Sequence, residues 1–211
     1  FHSGKLQERE EMLRTRAAEN KCAIVYVNQV GGQDELVFDG SSMLFDASGK
    51  LLARAPQFTS GLSVVEIDLD KPVVAEVAPL SDRYEEMYGA LVLGTRDYVR
   101  KNKFTDVVIG LSGGIDSSIV AAVTVEALGA EHVHGVAMPS RYSSDGSKTD
   151  AYALAEALGI DCRTISIEPV FEAYLSMLAP SFEGKAADLT EENLQSRCRG
   201  QILMALSNKF G

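Results

Sequence analysis

Residues 107–118 read Val-Val-Ile-Gly-Leu-Ser-Gly-Gly-Ile-Asp-Ser-Ser. The β-branched run ending at Gly110 has the character of a buried strand. A small polar loop follows, and an apolar helical pattern takes over after Asp116. Adjacent Gly113 and Gly114 place no Cβ in the loop, so backbone N–H groups can close around an anion. Ser112, Ser117 and Ser118 add hydroxyl donors, and the helix start adds unpaired N–H groups and the positive end of its dipole. A carboxylate at Asp116 is repelled by phosphate unless a divalent cation stands between them. The chemistry implied is a nucleotide triphosphate on the loop, with Mg²⁺ held at Asp116.

The loop is not a Walker motif, because none of the Gly-Lys pairs (4–5, 49–50, 184–185) is followed by Ser or Thr. Gly-x-Gly-x-x-Gly is absent as well. The segment resembles the Ser-Gly-Gly-x-Asp-Ser loop of the PP-loop ATP pyrophosphatases, which cleave ATP between the α and β phosphates. A purely structural glycine turn is the alternative.

The elements that must position this loop alternate. Strands are expected at 107–111, 132–138 and 161–167, with helices at 117–129 and 147–158, which makes a doubly wound parallel sheet. Ligands of such sheets lie at the carboxyl ends of the strands, where 112–116 and 138–142 both fall. A long helix over 81–102, capped by Ser81, precedes them, with Tyr84, Met87, Tyr88, Leu91 and Val92 as a stripe expected in the core. A helix within 171–182 and another over 191–209, capped by Thr190 or Asp188, follow.

The first third reads differently. A charged helix over 4–20, with Leu6, Met12, Leu13 and Ala17 on one stripe, leads to strands at 21–30, 36–40, 42–45, 51–55 and 63–69. Residues 31–34 are expected as a loop and 46–50 as a hairpin turn. Phe1-His-Ser-Gly-Lys5, Val27-Asn-Gln-Val-Gly-Gly32, Phe38-Asp-Gly-Ser-Ser42 and the Asp46 turn, in that order, resemble the C-terminal half of a nitrilase-type carbon–nitrogen hydrolase. The resemblance implies part of an αββα sandwich. That family's Glu–Lys–Cys triad has its Cys upstream of this stretch, and Cys22 does not match it, so no triad residue is assigned. Lys5 matches a position that helps bind glutamine; an ordinary solvated lysine at a helix start is the alternative. Prolines and weak periodicity over 70–81 mark a linker, dividing the chain into 1–75 and 76–211.

Two further segments narrow the reading. Met138-Pro-Ser-Arg-Tyr-Ser-Ser144 crowds polar groups at the sheet's functional edge. Arg141 suits phosphate and Met138 suits a base, although a plain Ser-rich connection reads equally well. Glu192-Asn-Leu-Gln-Ser-Arg-Cys-Arg-Gly200 places Asn193 and Arg197 on one helical face. An amide beside a guanidinium suits a ribose, phosphate or carboxylate; exposed arginines paired to Glu191 and Glu192 are the alternative. With the 110–118 loop, these segments resemble the glutamine-dependent NAD⁺ synthetases, which join a nitrilase-type part to a PP-loop part in this order.

That resemblance implies that ATP adenylates the nicotinate carboxylate of deamido-NAD⁺, and that glutamine-derived ammonia then yields NAD⁺ and AMP. Gly110, Leu111, Ser112, Gly113, Gly114, Ile115, Asp116, Ser117, Ser118, Met138 and Arg141 would bind ATP, with Asp116 on Mg²⁺. Asn193 and Arg197, with Arg199 a weaker candidate, would meet deamido-NAD⁺. It also implies a homo-oligomer, at least a dimer, and a longer parent in which a Thr-Gly-Asn-Lys-Ser-Glu motif follows. The open alternatives are another PP-loop ligase resembling GMP synthetase, a non-catalytic nucleotide-binding fragment, and a plain carbon–nitrogen hydrolase with an unrelated partner domain.

Composition bounds these readings. A net charge of −10, from 20 basic and 30 acidic residues, argues against nucleic-acid binding. No apolar run approaches the ~20 residues of a membrane span. Three widely spaced cysteines give neither a disulfide framework nor a zinc pattern and suit a reducing cytoplasm. Cys22 and Cys162 are expected as buried thiols, and so is Cys198, although Arg197 and Arg199 flank it.

Overall fold

Each half of the chain builds its own layers around its own apolar core. The computed structural model describes residues 2–67 and 75–210. It divides into two compact units, Phe1–Lys101 and Asn102–Gly211.

In the first unit, α1 (Lys5–Asn20) buries Leu6, Leu13 and Ala17, spaced seven and four residues apart on one face. They pack on Met43 and Phe45. These belong to a three-stranded antiparallel sheet ordered β1 (Ile24–Tyr26), β4 (Met43–Phe45), β5 (Leu51–Arg54). Phe45 is fully buried, and burying a side chain of that size contributes about 1.5–3 kcal/mol. The β4–β5 turn is held by Asp46, whose Oδ1 accepts from Ser48 N at 2.8 Å and Lys50 N at 3.0 Å. A second antiparallel pair, β2 (Val30–Gln33) with β3 (Leu36–Asp39), carries α2 (Arg83–Lys101) on its surface. α1 and the two small antiparallel sheets lie within the stretch that resembles part of an αββα sandwich, and α2 follows it in sequence.

Several sequence expectations change here. Residues 31–34 are not a loop: 31–33 pair in β2, and the turn sits at Asp34 and Glu35. The glycines are there because α2 crosses closely, and a Cβ on Gly32 would stand 3.2 Å from the Gly94 Cα. The 21–30 strand breaks in two, because Asn28 turns its amide onto Asp39 and the Gly40 carbonyl, both at 2.9 Å. Cys22 precedes β1 and is exposed, not a buried thiol. Residues 63–67 are not in a strand; residues 68 and 69, and 70–74 of the expected linker, lie outside the described residues. Asp82, not Ser81, caps α2, accepting from Tyr84 N at 2.7 Å and Glu85 N at 2.9 Å. The expected core stripe of α2 faces outward, with Tyr84, Met87, Tyr88 and Leu91 exposed and Glu86, Ala90, Leu93 and Val99 buried instead.

An ion pair fixes this unit. Arg9 Nη2 donates to both oxygens of Asp39, at 2.9 and 3.0 Å, and Nη1 donates to the Gly40 carbonyl at 3.2 Å. Asp39 is 5 % exposed.

In the second unit, β6 (Val107–Leu111), β7 (Val133–Ala137) and β8 (Asp161–Thr164) form a parallel sheet in that order. One face packs α3 (Ile115–Leu128) and α4 (Asp145–Leu158) through Ala121, Ala151 and Ala155. The other packs α5 (Glu168–Leu178) and α6 (Leu189–Phe210) through Phe171 and Cys198. α3 starts two residues earlier than expected and ends at Gly129, which has a positive φ. Ser144 caps α4, accepting from Ser147 N at 3.1 Å. Asp188 is the cap of α6, accepting from Thr190 N at 2.8 Å, and at the other end Arg163 lies 5.9 Å from the Phe210 ring. Cys162 is half-buried and Cys198 buried; burial pushes both thiols up, in Cys198 despite Arg199.

His134 of β7 bridges its neighbours' ends, with Nδ1 2.6 Å from Asp161 and Nε2 3.1 Å from Asp106; His132 is 3.6 Å from Asp106, and Arg163 is 3.6 Å from Asp161. The bonds to Asp161 and then Asp106 raise the His134 pKa, while those from Thr105 and His134 lower that of Asp106.

Two predictions follow from these pairs. Arg9→Ala strands a buried carboxylate and is expected to cost about 3 kcal/mol or more by urea unfolding, whereas Arg9→Met with Asp39→Leu costs clearly less. A raised folded pKa makes the His134 contribution fully present below the unfolded value of about 6.5 and lost as pH rises through the folded value. The depressed Asp106 makes its contribution present above its unfolded pKa and lost as pH falls through the folded one. The melting-temperature gap between the unaltered protein and His134→Gln is therefore expected to be widest in mildly acidic buffer and to shrink toward alkaline pH.

Candidate nucleotide site

β6 runs out at Leu111 and α3 begins at Ile115, leaving three residues to reverse the chain. The reversal is made by Gly113, at φ +77°, where a Cβ would collide with the Ser147 carbonyl. The loop is then laced to itself. Ser117 Oγ accepts from Ser112 N at 3.2 Å and donates to the Gly114 carbonyl at 3.0 Å, and Ser118 Oγ donates to the same carbonyl at 2.9 Å. Gly114 N donates to Ser112 Oγ at 3.1 Å. The hydroxyls expected to meet phosphate therefore shape the loop, and the first-turn N–H groups of α3 are what it presents to an anion. Asp116, in that first turn, is exposed.

Beside the loop lies a cavity of about 650 Å³, the size of a small-molecule site. Its walls are the end of β6 (Gly110, Leu111, Ser112), the end of β7 with the following loop (Ala137 to Pro139, Tyr142, Ser143, Ser144), one side of α4 and one face of α6. Gly110 makes room for Met138, whose Cε would stand 3.0 Å from a Cβ there. Two α6 side chains one turn apart tie the β7–α4 loop in place. Gln195 accepts from Ser140 Oγ at 2.8 Å, and Arg199 Nε donates to the Met138 carbonyl at 3.1 Å. Burial lowers the Arg199 pKa, and Arg199 and Lys148 bring positive charge to the cavity wall.

Of the residues singled out by sequence, Gly110, Leu111, Ser112 and Met138 line the cavity, and Gly113 to Ser118 continue from it into α3. Arg141 does not line it. Its guanidinium pairs with Glu168 and, at 2.6 Å, with Glu172, and its N–H donates to Glu168 at 2.8 Å. These bonds raise the Arg141 pKa and lower that of Glu168. Asn193 and Arg197 are exposed outside the cavity, with Arg197 Nη1 3.4 Å from the Asn193 carbonyl. Lys5, in the other unit, is exposed and pairs with Glu8 at 3.0 Å. Sequence reasoning passed over Lys148, Gln195, Ser196 and Gly200. The i, i+4 spacing of Gln195 and Arg199 was the available signal for the loop tie.

Asp116 offers one hard carboxylate beside an anion-binding helix start, and no cluster of three metal-ligating side chains occurs among the described residues. That donor set fits Mg²⁺, which commonly takes one or two carboxylates and completes its shell with phosphate and water.

A glycine loop at the carboxyl edge of a parallel sheet, opening a helix beside a nucleotide-sized cavity, defines an α/β nucleotide-binding protein of the PP-loop kind. A family model described as NAD synthase matches residues 87–211, and one described as carbon-nitrogen hydrolase matches 3–73. The chain belongs to the NAD synthase family. It is 46% identical to the glutamine-dependent NAD(+) synthetases of Thermotoga maritima and Synechocystis sp., with all of this chain and 42% and 38% of theirs covered. The structure of the glutamine-dependent NAD+ synthetase from Acinetobacter baumannii in complex with ADP superposes with a TM-score of 0.96 at 44% identity, covering 100% of this chain and 40% of that one. The chain thus spans about two-fifths of the length of these relatives.

Gly113→Ala must leave both its φ and its contact with Ser147. It is expected to cost about 1–3 kcal/mol of stability, read by thermal melting.

Proposed function

We propose that this chain is part of an enzyme that amidates deamido-NAD⁺ to NAD⁺ with ATP and glutamine-derived ammonia. The observation that carries the reading is the end of β6 and Ser112 opening onto a nucleotide-sized cavity, with Asp116 in the first turn of the helix that follows. The resemblance to synthetases of that name supports the choice of substrates.

In this reading the N–H groups at the start of α3 take the phosphates. Met138, with the apolar wall behind it, packs on the nucleoside, and Gln195 and Arg199 keep that wall in register. The nicotinate carboxylate attacks the α-phosphorus and pyrophosphate leaves. Ammonia then attacks the acyl carbon and AMP leaves. A carboxylate alone is a poor acyl donor, so the first step supplies the leaving group for the second. Asp116 holds Mg²⁺, which when bound neutralises charge on the departing pyrophosphate. Asn193 and Arg197, with Arg199 a weaker candidate, contact deamido-NAD⁺, and Arg141 reaches ATP once released from Glu168 and Glu172. Lys5 contributes to glutamine binding in a glutaminase part spanning 1–75, with the synthetase part spanning 76–211. The whole protein works as a cytoplasmic homo-oligomer, at least a dimer. Among the described residues no helix is long and apolar enough to cross a membrane.

The test uses the intact protein with Mg-ATP, ammonium and rival acceptors: deamido-NAD⁺, xanthosine monophosphate and aspartate. AMP and NAD⁺ are expected with deamido-NAD⁺ alone, and Asp116→Ala is expected to reduce the rate about a hundredfold or more. AMP release with another acceptor overturns the substrate, and none with any acceptor overturns the ligase reading.

A further inference from the structure

α1 starts on a turn whose hydrogen bonds are completed from another helix. The His2 carbonyl accepts from Lys5 N at 3.0 Å, and Gly4 sits between them at φ +84° and ψ −5°, the third-position geometry of a type II turn. Gly4 is also the N-cap of α1 and brings no side chain to that role. In a capping box the N-cap N–H is taken by a Glu or Gln three residues further on. Here it is taken by Glu86 of α2, whose Oε2 accepts from Gly4 N at 3.2 Å and from Ser3 Oγ at 3.3 Å. The other oxygen, Oε1, accepts from Gln57 Nε2 at 3.2 Å.

Glu86 is 5 % exposed. A carboxylate is a costly side chain to bury on neutral donors. What it secures is the backbone immediately before Lys5. The helix that carries it is itself seated firmly. A Cβ on Gly89 would stand 2.7 Å from the Phe58 ring, and Asp97 Oδ2 accepts from Gly32 N at 2.8 Å. Lys5 is the first residue of α1, next to Gly4, and its side chain is exposed. Its ammonium rides on a flexible stem, so the placing of its backbone decides what it can reach. We infer that Glu86 is a positioning residue for glutamine, holding the Ser3–Gly4 turn in the geometry that presents Lys5 to that substrate. This rests on the reading of Lys5 as glutamine-binding and goes beyond it by assigning the group that aims the lysine. With the chain divided at residue 75, α2 falls in the synthetase part, so that group comes from outside the glutaminase part.

The test separates glutamine use from ammonia use in the intact protein. Glu86→Ala is expected to raise the KM for glutamine about tenfold or more, with NAD⁺ formation from ammonium unchanged. Gln57→Ala removes only the bond to the other carboxylate oxygen and is expected to leave both unchanged. Glu86→Gln is expected to keep most of the affinity, because its Oε1 can face Ser3 and Gly4 while its Nε2 donates to a Gln57 amide turned over. A rise in KM shared by Gln57→Ala, or a fall in the ammonium-supported rate of Glu86→Ala, would reduce Glu86 to a structural role and overturn the inference. Should Glu86→Ala fail to fold, Ser3→Ala removes one bond of the same turn and is expected to raise the glutamine KM severalfold; an unchanged KM overturns the inference. Lys5→Ala tests the reading beneath. If it leaves the glutamine KM unchanged, that reading fails and the inference with it. If it raises the KM and Glu86→Ala does not, the role of Glu86 alone is overturned.

Discussion

The second unit is built around a place where two backbones touch. Gly113 lies against the Ser147 carbonyl at the start of α4, with no room for even a methyl group between them. That contact holds the β6–α3 turn against the helix that follows β7 and sets how far apart the cavity's walls stand. The serines of the turn act within this constraint. Ser112, Ser117 and Ser118 all bond within the loop. These bonds fix the shape of the turn before any ligand arrives.

A comparable constraint governs the first unit, where its source is charge. Asp39 is buried, and Arg9 and Asn28 both turn toward it. The ion pair joins α1 to the end of β3, and the amide pulls the chain out of β1, so one carboxylate decides both a helix docking and a strand's length. Such an arrangement adds little net stability over an apolar one, but breaking it from one side is costly.

Much of this was legible in the sequence where local rules and tertiary demands agree. The β6–loop–α3 unit and the alternation of the second unit follow from β-branched runs, glycine placement and helix periodicity. The family resemblance added the chemistry. Legibility failed where a side chain's partner is distant in sequence. Gly31 and Gly32 look like loop residues until α2 is known to cross them. Tyr84 and Tyr88 look like core until Glu86 is found buried, bonded to Ser3, Gly4 and Gln57. The ion pairs of Arg141 with two carboxylates of α5 were likewise not to be read from its own segment. Arg199, ranked below Arg197 on sequence, is the arginine that reaches the cavity, because the helical face is chosen by the packing of Leu194, Cys198 and Ile202.

The ties from Gln195 and Arg199 make α6 more than a wall. A helix of 22 residues is about 33 Å long and bends little. Its first half and middle grip the loop over the cavity through Gln195 and Arg199, while its last turn sets Phe210 beside Arg163 of β8. A single rigid element therefore joins the loop over the cavity to the edge strand of the sheet.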